Sequence, residues 1–159
     1  MLAKGQENNL TENDEIILIN CLENFYDKII HMDDYFDFDT FEDALVKWVK
    51  NIFKSHYKNL DEFFKMMQNH ENYQVWFSSF IGFLYQYGIG CDINKNAALE
   101  LYLLIVNNKF IDKPLENNHG NQLNLVKVDR DEYDKLQNIN ITIGKYLLSL
   151  FYYKDMKIN

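Results

Sequence analysis

The sequence predicts an all-α protein, a helical hairpin preceded by about three helices. Three observations carry this. Apolar residues recur at spacings of three and four in segment after segment of the 159 residues. The alternation of a half-buried strand is not found strongly anywhere in the N-terminal half. And three of the six glycines fall within nine residues, in "GFLYQYGIG", between two helix-forming stretches.

The elements follow in order. Residues 1–10 are polar and are expected to be disordered. Residues 11–70 form an N-terminal helical region. Thr11 followed by Asp14 has the spacing of a helix-starting cap, and Leu18, Leu22, Phe25 and Ile29 then make one stripe. After "HMDDYFDFD", Thr40 with Asp43 is expected to open a second helix, with Phe41, Leu45, Trp48, Val49 and Ile52 on one face. A shorter helix follows, carrying Leu60, Phe63, Phe64 and Met67.

Residues 71–108 form the hairpin. Glu71 to Tyr87 is too apolar for a solvent-facing helix and should be buried on several sides. Gly88 to Asn94 is a turn, and Lys95 to Asn108 returns antiparallel because the link is short. Residues 109–138, with Pro114, Gly120 and the mixed charges of "KVDRDEYDK", read as a polar inserted loop. Within it "LNLVKV" hints at one strand, which is unstable alone. Residues 139–159 return to an apolar helix.

Each hairpin glycine has its own reason. Gly82 sits mid-helix, where glycine costs about 0.5–1 kcal/mol against alanine, so a neighbour must come close there. Gly88 is placed to stop the helix in a left-handed conformation, and Gly90 gives the link a second permissive position. Ala97 and Ala98 on the returning helix are expected to face the gap that Gly82 opens, with Tyr85 and Tyr102 around it.

This framework resembles the Sel-one-like repeat, a relative of the tetratricopeptide repeat. Ile81, Gly82, Tyr85, Gly88 and Gly90 match its first helix and turn, and Ala98, Leu101 and Tyr102 fall on its second helix. Cys91 stands where valine is usual, Asn94 at the usual aspartate and Ala97 at the usual lysine. The resemblance covers about residues 73–108. Repeats bury their faces only by stacking, so a second copy is expected. A shift of 66 residues lays Leu147 over Ile81, Leu148 over Gly82, Phe151 over Tyr85, Lys154 over Gly88 and Met156 over Gly90. That half-repeat is degenerate, and the shift implies an insertion, which 109–138 supplies. The resemblance thus implies a tetratricopeptide-like α-solenoid, with 139–159 as the first helix of a truncated second repeat.

Composition narrows the function. A formal net charge of −8 repels phosphate backbones, so neither nucleic acid nor an anionic membrane is expected as a partner. No signal-peptide core or membrane-spanning run is present, so a cytoplasmic location is expected. Cys21 and Cys91 then read as thiols in a reducing compartment, and Asn140-Ile141-Thr142 as a glycosylation pattern without meaning.

No catalytic, cofactor or metal residue is expected. Asp33, Asp34, Asp37 and Asp39 fit no calcium loop, which needs a glycine and a distal glutamate. His31, His56, His70 and His119 lack metal-ligand spacing and read as surface or partly packed. Ser78-Ser79 lacks a nucleophile elbow, the cysteines have no histidine nearby in sequence, and the glycines form no phosphate loop.

The resemblance therefore implies a non-catalytic protein–protein interaction scaffold or adaptor, in signalling or protein quality control, with an unidentified protein partner. Gln86, Tyr87, Lys145, Ser149 and Tyr152 are its candidate groove positions. The competing class is a regulatory or dimerisation segment of a larger enzyme such as a protein kinase. Homo-oligomerisation and continuation into a longer chain both stay open.

Overall fold

The computed structural model describes residues 11–31, 37–56, 59–107 and 130–158, with the backbone alone for Phe38, His56 and 155–158. The expectations placed on residues 1–10, Asp33, Asp34, Pro114, His119, Gly120 and "LNLVKV", and on the side chains of His56 and Met156, lie outside the described residues. Among the described residues the secondary structure is wholly helical. It comprises α1 (Glu12–Ile30), α2 (Phe38–His56), α3 (Leu60–Gln68), a π-helical turn (Tyr73–Phe77), α4 (Ser78–Tyr87), α5 (Lys95–Val106) and α6 (Arg130–Ile158).

α1 starts where its cap places it. Asp14 N–H donates to Thr11 Oγ1 at 3.0 Å and Thr11 N–H donates back to Asp14 Oδ2 at 3.2 Å. Leu18, Leu22, Phe25 and Ile29 are all buried, joined by Cys21. α2 begins earlier than expected. The capping oxygen belongs to Asp37, which accepts from Thr40 N–H at 2.8 Å, so Thr40 lies inside the first turn. Phe41, Leu45, Val49 and Phe53 form its buried face. Asn59 caps α3, whose Phe63, Phe64 and Met67 are buried. Aromatic contacts then tie these helices together and to α4: ring centroids of Phe25 and Phe80 lie 4.6 Å apart, those of Phe53 and Phe80 6.2 Å, and those of Phe53 and Phe63, between α2 and α3, 3.9 Å.

Every residue from Trp76 to Leu84 is buried, so the expected burial on several sides holds. The path is not one regular helix, however. The π-helical turn of 73–77 precedes α4, with His70 packed at 5.5 Å on Trp76 and 5.2 Å on Phe77. His70 is itself buried, not at the surface. Its Nδ1 accepts from Asn72 N–H at 2.9 Å and its Nε2 lies 3.2 Å from Glu15 Oε2.

α6 is helical from Arg130, which corrects the expectation that 130–138 belongs to a loop. The charges there sit on a solvent side, while Leu136, Ile139, Asn140 and Ile143 make a buried stripe at helical spacing. Lys135 pairs with Glu23 of α1 at 3.4 Å. α6 runs antiparallel to α5 and alongside α4: Gly144 meets Ile105, Phe151 meets Tyr102, and Asn140 meets Ser79.

Candidate partner-binding face

The hairpin of α4 and α5 is shaped by its glycines. Gly88 takes a left-handed φ of 66°, and Ile89 N–H returns to the Leu84 carbonyl at 3.0 Å. Gly90 has φ 79°. A Cβ there would lie 2.6 Å from the Leu60 carbonyl oxygen, so the α3 backbone rests on the turn. Asn94 then caps α5 by accepting from Ala97 N–H at 3.0 Å. Gly82 does admit a close neighbour, but the neighbour is not the alanine pair. A Cβ at Gly82 would lie 2.6 Å from Tyr102 Cε1, so the ring of Tyr102 fills the gap. Ala98 is buried nearby, and Ala97 faces the other side of the hairpin.

The five expected groove positions do not form one surface. Gln86 is only 7 % exposed, and Tyr87 is partly buried. Both are drawn into a polar network where α2, α4, α5 and α6 meet. Tyr102 Oη donates to Gln86 Oε1 at 2.7 Å, and Gln86 Nε2 lies 3.5 Å from Tyr87 Oη. Tyr87 donates to Glu42, which also accepts from Lys154 Nζ at 2.9 and 3.1 Å. Polar residues that looked solvent-facing are therefore buried because the network gives each a partner. Lys145, Ser149 and Tyr152 lie on the outer side of α6, Tyr152 at 45 % exposure.

The electrostatics of this network favour holding over proton transfer. Burial, and then the hydrogen bond and charge of Glu42, raise the Tyr87 hydroxyl above the ordinary range. Burial and Glu42 do the same to Tyr102 and Tyr146. The Tyr87 and Tyr102 hydroxyls donate and stay neutral, while the buried Tyr146 Oη has no hydrogen-bond partner among the described residues. The thiols are similarly quiet: burial pushes Cys21 up to about 12, and burial, Asp92 and Asp61 raise Cys91. Among the described residues no three His, Cys, Asp or Glu side chains are grouped to hold a metal ion.

A second polar cluster was missed entirely at the sequence level. Asn140 of α6 is fully buried against the π-helical turn. Its Oδ1 accepts from Ser79 N–H at 3.0 Å and from Ser79 Oγ, while its Nδ2 donates to the Val75 carbonyl at 2.8 Å and to Ser78 Oγ at 3.0 Å. One side chain thus bonds two backbone groups at the irregular start of α4. Burial of Asn140 also leaves no room for a glycan in this fold. Gly144, one turn later, lets α6 approach α5: a Cβ there would lie 2.5 Å from Ile105 Cγ2.

Among the described residues, the opposite side of the hairpin is open. A cleft of about 360 Å³ lies beside α3, with Ile81 as a buried floor and Tyr73, Tyr85, Leu101 and Leu104 among its walls. Glu100 lies at its edge, exposed and without an ion-pair partner among the described residues. Two glutamines steady the tyrosines: Gln68 Nε2 donates to Tyr85 Oη at 3.2 Å, and Gln74 Nε2 to Tyr73 Oη at 3.3 Å. α5 is apolar almost all round, yet Leu99, Leu101, Leu103, Leu104 and Val106 are only partly buried, and Ile93 before it is 63 % exposed. No helix of the described residues is long and apolar enough to cross a membrane.

Comparison with protein-family models, with curated proteins and with solved structures finds no match. The resemblance to the Sel-one-like repeat therefore rests on the residues that carry it.

Proposed function

We propose that this chain is a non-catalytic protein–protein interaction module, a cytoplasmic adaptor of the Sel-one-like type. On this reading α4 and α5 are one tetratricopeptide-like pair and α6 is the first helix of the next. The observation that carries the proposal is the open side of α5. A helix apolar on nearly every side asks for cover, and among the described residues its main cover comes from α4 and α6. The cleft between Tyr85, Leu101 and Leu104 is the binding surface, in place of a groove along Gln86 and Tyr87.

The test is capture from the cell extract at moderate salt with the tagged chain and with its Leu104→Asp variant. A short, reproducible set of proteins retained by the parent chain and lost by the variant is the expected result. Recovery of no partner, or of a set that the substitution leaves unchanged, overturns the reading.

A further inference from the structure

We infer that the occupant of the open cleft is the apolar face of a basic amphipathic helix in a partner protein, which deepens the interaction reading above and rests on it. Ala97, Leu101 and Leu104 stand at i, i+4 and i+7, so the apolar line they present runs about 10.5 Å along α5, two turns of helix. An incoming helix offers side chains at the same repeat, which is how a helix lies in an apolar groove. The 360 Å³ of space is at the small end for a bound organic ligand and suits a few aliphatic side chains.

Charge decides which helix. Glu100 is the charged side chain lining the cleft, and it has no ion-pair partner among the described residues. The chain as a whole carries a formal net charge of −8, so a basic partner is steered toward it. The same field works against a second copy of this chain as the occupant, because two such charges repel. The tyrosines set the orientation further. Tyr73 and Tyr85 each accept from a glutamine, which leaves each hydroxyl proton to donate to a carbonyl or side-chain oxygen of the helix.

The probe is a synthetic alanine-based peptide of about five helical turns, with leucines at i, i+3 and i+7 and lysines flanking them. Its affinity for the full chain is read by fluorescence anisotropy, beside a peptide with every lysine changed to glutamate and one with every leucine changed to glutamine. The expected result is binding of the lysine peptide, weakened about tenfold or more by Leu104→Asp, by Glu100→Lys and by loss of the leucines. Glu100→Lys should at the same time strengthen the glutamate peptide. Equal binding of the lysine peptide to the parent chain and both variants would show adsorption to an acidic surface and overturn the inference. So would a dimer that Leu104→Asp dissolves, or cross-links joining Leu104 to residues 108–129 of the same chain. A captured partner that depends on Leu104 but docks through an acidic or extended segment overturns the basic helix alone and leaves the interaction module standing. If no partner depends on Leu104, both fall.

Discussion

The two sides of the α4–α5 hairpin are finished in opposite ways. Toward α6, the contact is closed by small residues and by polar groups most of which find a partner, Trp76 Nε1 and Tyr146 Oη being the buried exceptions among the described residues. Gly144 admits Ile105, Gly82 admits Tyr102, and Asn140 meets the backbone around Val75 and Ser79. Away from α6, the surface is aliphatic, with Leu101 and Leu104 only partly buried beside a cleft. The closed side depends on shape and hydrogen bonding, where a single atom out of place is costly. The open side has area to bury and little geometry to violate. The difference separates residues that hold this fold from residues free to meet something else.

The sharpest way to break the closed side is at Asn140. Asn140→Ala would leave Ser79 N–H, the Val75 carbonyl and Ser78 Oγ without that partner in a water-poor place. Ser78 Oγ keeps its bond to the Gln74 carbonyl, so the cost falls on the two backbone groups at about 1–3 kcal/mol each, and a loss of about 2–6 kcal/mol is expected. Denaturant unfolding measures it directly. A midpoint within error of the parent chain would mean that water replaces the side chain without loss.

Gly82→Leu comes next. Its Cβ would meet a Tyr102 ring that is fully buried and held by Gln86, so neither partner has room to yield. Overpacking of this kind costs about 1–3 kcal/mol. In a cycle with Tyr102→Leu, Gly82→Ala should cost less in the Tyr102→Leu background than in the parent chain, since the ring is the obstacle. Thermal melts of the three variants decide whether the clash or glycine's own backbone freedom matters.

These two sites differ in how readable they were. Gly82 drew notice because a glycine inside an apolar helix needs a local reason, although the ring that fills the space could not be named from the sequence. Gly88 and Gly90 were legible because a positive φ is a property of one residue and its neighbours. Thr11 and the stripe of α1 were legible for the same reason of locality. Asn140 was not, because its partners lie 61 to 66 positions earlier, and from the sequence it looked like part of a glycosylation pattern. Gln86 failed in the same way: a glutamine reads as exposed until Tyr102, 16 residues on, supplies its bond. The first turns of α6 were masked by their charges, since a solvated helix side resembles a polar loop. The open cleft was half legible, because Tyr85 and Leu101 were singled out while the space between them needs three helices to exist.

The tyrosine network offers a gentler test, by pH. Tyr87, Tyr102 and Tyr146 have folded-state values above the ordinary value near 10, because burial and Glu42 disfavour the phenolate. The unfolded chain therefore releases these protons first as pH rises. Their contribution to stability is whole below about pH 10 and is lost progressively above it. Cys21 adds the same sign, present in full below about 9 and lost by about 12. Thermal melts should hold steady below pH 9 and fall above it, and the share of the tyrosinate absorbance that Tyr87→Phe removes should appear only with unfolding. That share appearing in the folded chain well before unfolding would contradict the buried network.

The smallest expected change in stability is at Leu104, and it is the most informative about the comparison. Leu104→Asp alters a partly buried position beside open space in the last turn of α5, so it should cost about 1 kcal/mol, from the lower helix propensity of Asp and its charge near the C-terminal end. Asn140→Ala should reduce both folding and binding, because α4 loses its anchor to α6. Leu104→Asp should reduce binding far more than folding. If Leu104→Asp instead destabilises the chain as much as Gly82→Leu does, its side chain is part of the core, and the open side of the hairpin is covered within this same chain. The ratio of lost binding to lost stability, compared at Leu104 and Asn140, is therefore what distinguishes a surface kept for a partner from one kept for the fold.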